Sequence, residues 1–268
     1  MSITIPTVCA TRYVTPLREG GSLPGIVEAD NLGLYVVKFR GAAQGLPVLV
    51  AELICGELGR ALGLPVPEIA FVEFDAAFAN AEPDTELQGL LRASGGLNLG
   101  LDYLPGSIAY QPARPRGVDA TLASAIVWFD AFVMNVDRTA KNPNLLVWHN
   151  KLWMIDHGAA LYVHHAWNDP DRVARSRFPL IRDHVLLPQA DDLAGAAASF
   201  GARITHPLID EILALIPDEW LAAEASPFAT PEEHRDAYRR FFRLRLEASG
   251  DFTGEAVAAR TALLEGDR

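Results

Sequence analysis

The chain has 268 residues, 50% of them apolar, which suits one large or two small packed cores and excludes a disordered or repetitive composition. A formal net charge of −11, carried by scattered acids, repels nucleic acid, so no direct DNA or RNA binding is expected. No window approaches the roughly 18 uninterrupted apolar residues of a membrane span. Two cysteines outside any C-x-x-C context and no basic-then-apolar leader point to a cytoplasmic protein. Cys55 sits in an apolar helical pattern and reads as a small core residue.

Residues 10–40 read as three strands separated by Gly-containing turns. In the first turn, Gly21 and Ser22 offer a backbone N–H and a hydroxyl to a phosphate, although a plain hairpin turn is the commoner use of such glycines. Lys38 interrupts the third strand, 34–39, where a buried lysine needs a partner. Residues 49–63 carry Leu49, Leu53, Leu58 and Leu62 at helical spacing, with Gly63 and Pro65 closing the helix. Glu52 lies early in it beside the apolar stripe and is the candidate partner of Lys38, with an ordinary surface pair as the competing reading. Glu57 is expected to be solvated. A strand follows at 66–75, a polar helix around 83–92, and a strand at 97–104 ending in Pro105-Gly106. An adenine ring is expected to meet main-chain groups of Asp102, Tyr103 and Leu104, from their place in the chain order.

Residues 119–135 form a helix apolar around most of its circumference, as buried helices are. It runs into the polar stretch Asn135-Val136-Asp137-Arg138-Thr139-Ala140-Lys141-Asn142. A hairpin follows, from 144–148 to 151–155, ending in Asp156-His157-Gly158. The D-x-x-x-x-N spacing followed by D-x-G is the order of the base and metal ligands of a kinase. Magnesium takes hard oxygen ligands, one or two carboxylates plus phosphate and water, which Asn142 and Asp156 can supply. Asp137 is left to accept a hydroxyl proton, and Lys141 to stabilise the transferring phosphoryl group.

The run Asn-Val-Asp-Arg-Thr-Ala-Lys-Asn-Pro-Asn-Leu-Leu, with Ile-Asp-His-Gly, resembles the HipA-like kinase family and, more distantly, the phosphoinositide kinases. Gly20-Gly21-Ser22, Val37-Lys38-Phe39, Ala51-Glu52 and Gly63-Leu64-Pro65-Val66-Pro67 are similar to the family's first part, in the same order. The closest likeness is to small members without the toxin's extra N-terminal domain. The resemblance spans roughly residues 10–190. It implies an α+β, two-lobed protein-kinase-like fold, with a small β-rich lobe over residues 1–101 and a larger helical lobe over 102–268. It also implies ATP and magnesium, Asp137 as base, Asn142 and Asp156 as metal ligands, Lys38 on the phosphates, and Ser or Thr of a protein as acceptor. Thr139 stands where the family often has histidine, and His157 replaces the phenylalanine of D-F-G. The glycine-rich-loop spacing of protein kinases is absent.

Residues 159–177 occupy the activation-segment position. His157, His164 and His165 there lack Cys or Glu at ligand spacing, so solvated histidines are expected rather than zinc. Ser176 among Arg172, Arg175 and Arg177 could hold a phosphate if modified, against a plain loop of solvated arginines. Helices are expected over 207–216, from 217 onward, over 230–248 and over 254–265. The arginines of the third (Arg235, Arg239, Arg240, Arg243, Arg245) read as a solvated face. Two rivals to a phosphotransferase are a pseudokinase-like nucleotide-binding module and a lipid or small-molecule kinase. The lipid reading is disfavoured by the acidic charge. An antitoxin-like partner is implied only by the family's toxin members.

Overall fold

The structure, a computed structural model, describes residues 3–17, 23–222 and 226–266. In chain order the first elements are β1 (Thr7–Pro16), β2 (Gly25–Ala29), β3 (Leu34–Lys38), α1 (Leu46–Ala61), β4 (Ile69–Phe74), α2 (Thr85–Ala93) and β5 (Gly96–Asp102). The five strands close into a barrel in the order β1-β2-β3-β5-β4; every pairing is antiparallel except β4 with β1. Two register irregularities in β1 help the sheet curl. Alternation sends Tyr35, Val37 and Phe39 inside with Val27, Val72 and Phe74, and leaves Val36 and Lys38 on the outer face.

Helix α1 lies against that outer face and is buried over most of its length. Gly56 makes this approach possible, because a Cβ there would stand 2.4 Å from Ile69 Cδ1. Glu57, expected in solvent, is buried instead and pairs with Arg60 at 3.2 Å. It falls four residues after Leu53, on the stripe that packs inward.

After β6 (Ile108–Ala109), helix α3 (Ala120–Val133) begins at Asp119, whose carboxylate accepts from Leu122 N–H at 2.8 Å. It is buried from Ala123 onward except at the half-buried Ala125, and ends at Met134 in the left-handed region. Strands β7 (Leu145–Trp148) and β8 (Lys151–Met154) pair through a two-residue turn, His149-Asn150, both at positive φ, as a type I′ hairpin turn requires. β6 adds a third strand to this sheet.

The remaining helices are α4 (Pro170–Ala174), α5 (Leu193–Arg203), α6 (His206–Ala214), α7 (Asp218–Leu221), α8 (Pro231–Glu247) and α9 (Ser249–Gly266). Neither α4 nor α5 is expected from the sequence, and α9 begins at Ser249 rather than at the expected Gly254. The large core centres on Trp128, which stacks on Phe132 at 5.6 Å and meets Phe200 of α5 and Phe252 of α9. The arginine run of α8 is not one solvated face. Arg245 is fully buried and donates to the carbonyls of Ala131, Phe132, Ala174 and Ser176. Burial pulls its pKa down to about 9, against the nearby Tyr162. Arg235 reaches the Leu213 and Ile216 carbonyls and Asp218. No helix among the described residues is long and apolar enough to cross a membrane.

Candidate active site

At the end of β3, Lys38 leaves the barrel on its outer face and is buried between two acids. Its Nζ stands 2.7 Å from Glu52 Oε2 on α1 and also bonds Asp156 Oδ1, beyond β8. Burial alone would lower the lysine pKa, but the Glu52 and Asp156 charges outweigh it and raise it. For Glu52 burial pushes upward, yet Lys38 and the His157 amide hold its carboxyl down at about 2. That amide donates to Glu52 Oε2 at 2.7 Å. Strand, helix and D-x-G segment are thus tied by three charged groups.

Asp156 adopts φ 56, in the left-handed region that Asp and Asn tolerate better than most residues. Two residues on, Gly158 is the only residue type that fits, since a Cβ would lie 2.6 Å from Val48 Cγ1 on α1. His157, in place of phenylalanine, turns its ring into the core, edge-on to Phe129 at 6.3 Å.

The second half of the site is the loop after α3. Asp137 is half-buried; its N–H donates to Asn135 Oδ1 at 3.1 Å. Asp137 Oδ2 accepts from Asn142 Nδ2 at 2.8 Å and from Asn144 Nδ2 at 3.4 Å. The loop closes on itself through Thr139, whose N–H donates to the Asp137 and Asn142 carbonyls, each at 3.0 Å. Lys141 is exposed on the same loop.

These residues fit a hard divalent cation. Lys38 compensates one of its two carboxylates, and the surplus negative charge rests on Asp156, whose side chain is 38% exposed while that of Glu52 is 0%. Because Asn142 gives its amide nitrogen to Asp137, its carbonyl oxygen is turned from that carboxylate and is a neutral oxygen of the kind such a cation would accept.

Other expectations fare differently. Gly21 and Ser22 lie outside the described residues. The Asp102 and Tyr103 N–H groups are already bonded to the Glu68 and Leu34 carbonyls, and the Leu104 carbonyl accepts from Ser107. Those two N–H groups are therefore already engaged within the protein. The histidines are not a solvated set: His157 and His164 are buried, and His164 Nδ1 lies 2.9 Å from the Tyr238 hydroxyl. Burial lowers the His164 pKa to about 3. Among the described residues no group of three or more His, Cys, Asp or Glu could hold a metal. Ser176 is half-buried, and Arg172 and Arg175 are engaged by Asp169 and Glu247. One further residue, absent from the sequence-based expectations, is Asp130, a fully buried acid whose Oδ2 is 2.5 Å from Arg138 Nε. Its signal was a single acid inside the apolar run of α3.

A family model described as HipA-like kinase matches residues 11–244. The chain belongs to the HipA-like kinase family. It is accordingly a phosphotransferase enzyme. The HipA-like match contains every site residue described above and ends inside α8, leaving α9 beyond it. Among solved structures the chain is similar to the Helicobacter pylori proinflammatory kinase CtkA, with a TM-score of 0.53 at 14% identity over 94% of this chain and 98% of that one. The Golgi casein kinase with Mn/ADP bound gives 0.48 at 13% identity over 94% of this chain and 73% of that one. The likeness to CtkA is one of fold, a kinase-like mixture of strands and helices. No curated protein matches the chain.

Proposed function

We propose that this HipA-like kinase moves the γ-phosphate of ATP, with magnesium, to a hydroxyl, the acceptor being Ser or Thr of a protein. In this reading residues 1–101 and 102–268 are two lobes around the nucleotide. The observation that carries it is the joining of Lys38, Glu52 and Asp156 by charge, beside a loop in which Asp137 and Asn142 touch. Glu52 fixes Lys38 so that its ammonium serves the phosphates. Asn142 and Asp156 would hold magnesium, which neutralises charge on the phosphate oxygens when bound. The exposed Lys141 adds a positive charge for the transferring group, and Gly21 and Ser22 are assigned to the phosphates from their place in the sequence alone. Leu104 N–H serves the adenine edge.

The chemistry asks little of the protein beyond placement. The acceptor oxygen forms a bond to γ-phosphorus while the bond from γ-phosphorus to the β,γ-bridging oxygen breaks and ADP leaves. The hydroxyl proton passes to Asp137. One oxygen of that carboxylate is held by Asn142 and Asn144, so the carboxylate is oriented before the acceptor arrives.

Labelled γ-phosphate and magnesium, supplied with the full chain, test the reading through autophosphorylation, hydrolysis and transfer to added protein. Asp137→Asn should lower transfer by roughly 100-fold or more while leaving nucleotide affinity within about twofold. Nucleotide binding without any transfer by the wild type would favour a pseudokinase-like module. Equal loss of binding and transfer in Asp137→Asn would remove Asp137 from the role of base.

A further inference from the structure

Asp130 lies one turn from the C-terminal end of α3, where a helix disfavours negative charge, and its side chain is wholly excluded from water. Such an acid persists only if it is heavily compensated. Three donors from two stretches converge on it: Asn135 Nδ2 at 3.1 Å and Arg138 Nε at 2.5 Å from the loop after α3, and His184 Nε2 at 2.9 Å. We infer that Asp130, acting through Asn135, Arg138 and His184, is the positioning centre that holds Asp137 and Asp156 in register with each other. The inference rests on the kinase reading of those two acids.

The connections are short. Asn135 bonds Asp130 with its amide nitrogen and receives the Asp137 N–H on its oxygen at 3.1 Å, so the base stands two hydrogen bonds from Asp130. Arg138 spends Nε on Asp130 and Nη1 on two carbonyls, that of Asn144, where β7 begins, and that of Ile155 at 3.2 Å. Ile155 directly precedes Asp156. One guanidinium thereby spans both sides of the hairpin, which a lysine with its single nitrogen does not reproduce. His184 clamps the outer side of the loop. It forms a β-bridge with Thr139, and Val185 N–H donates to the Arg138 carbonyl at 3.0 Å.

The protonation pattern is fixed by the same contacts. His184 Nδ1 accepts from Leu186 N–H at 3.1 Å, so the ring proton sits on Nε2 and points at Asp130. Burial lowers the His184 pKa against the pull of Asp130, which keeps the ring neutral. Asp130 therefore balances one cation, Arg138, and takes two neutral donors. All three groups facing it donate, so an amide in its place would bring an NH₂ against a donor. Being fully buried, Asp130 touches no substrate; it acts through its neighbours.

The test compares wild type, Asp130→Asn, His184→Phe and His184→Gln by labelled-ATP turnover with magnesium. Measurements are made at a temperature where near-UV circular dichroism shows each variant folded. Positioning predicts a fall in kcat of roughly 100-fold for Asp130→Asn, the scale of an ångström-size misplacement, and roughly tenfold or more for His184→Phe. KM for ATP should stay within about twofold, and Gln, which retains an N–H donor, should restore much of the His184→Phe loss. A purely structural role would lower the melting temperature and leave kcat of the folded fraction unchanged. Should Asp130→Asn not fold, His184→Phe decides, because it removes one donor only. An active wild type with folded His184→Phe within twofold in kcat overturns the positioning role alone. A wild type without turnover overturns the kinase reading and this role with it.

Discussion

Glu52→Gln removes the charge opposite Lys38 while keeping the volume of the buried junction. The carboxyl ordinarily titrates near 4.5 and is held at about 2: burial opposes the shift, and Lys38 with the His157 amide overcomes it. At ~1.36 kcal/mol per pH unit that depression corresponds to about 3 kcal/mol, and the side chain is fully buried, so solvent does not screen it. The figure agrees with the roughly 3–5 kcal/mol for breaking a buried ion pair. Lys38 keeps Asp156 in the variant, so a loss of about 2–3 kcal/mol is expected at pH 7. A carboxylate with a depressed folded pKa contributes fully above its unfolded value and loses that contribution as pH falls from 4.5 toward 2. Lys38, raised above 10.5, behaves oppositely: its share is complete below 10.5 and disappears only as pH rises through the folded value. The gap between wild type and Glu52→Gln should be constant from about pH 6 to 9 and should narrow below about pH 4.5. Urea unfolding of both proteins at pH 7, 5, 4 and 3 measures it. A gap under about 1 kcal/mol at pH 7, or one undiminished at pH 3, would refute the reasoning.

Asp156→Asn should raise the magnesium concentration for half-maximal nucleotide binding by roughly tenfold, since it removes the exposed surplus charge; calorimetry with magnesium and a non-hydrolysable nucleotide measures this, and an unchanged metal dependence would count against Asp156 as ligand. Gly158→Ala places a methyl against Val48 and should cost about 1–3 kcal/mol by thermal unfolding. Transfer by the folded variant should fall as well, because the methyl separates α1 from the D-x-G segment; full activity would show that the contact has no bearing on the site. Arg245→Met leaves four carbonyls, three of them in buried bonds, without their donor and should destabilise by about 3 kcal/mol or more in chemical denaturation. A loss below about 1 kcal/mol would mean those carbonyls find other donors.

Much of the candidate site was legible because its residues break a pattern. Lys38 stands in a β-branched strand, and Asp137, Asn142 and Asp156 keep fixed spacing around a hairpin whose turn residues both sit at positive φ. The barrel's alternation at Tyr35, Val37 and Phe39 was equally plain. Helix α5 was not, because its residues are mostly small and only Leu193 and Phe200 are buried, too few to mark a face. Asp102, Tyr103 and Leu104 were assigned to adenine by chain order, and order does not reveal that the Asp102 and Tyr103 N–H groups are already bonded to carbonyls.

The misread charges share one cause. In α8, Tyr238, Phe241, Phe242 and Arg245 recur at three- and four-residue intervals, so Arg245 occupies the apolar face although it belongs to a run of arginines. Glu57 follows Leu53 by four residues in the same way, and Asp130 lies in a helix with almost no polar face. A charge at such a position cannot reach water, so it must find partners inside: Glu57 finds Arg60 one turn on, whereas the others also reach across the chain. Glu52 meets the His157 amide 105 residues away, Asp130 meets His184 across 54, and Arg245 meets the Ala131 carbonyl across 114. The face a charge occupies, not its density along the chain, therefore separates solvated residues from those that join segments. In this chain Glu52, Asp130 and Arg245 are all fully buried, and two of the three hold the segments that carry Asp137 and Asp156.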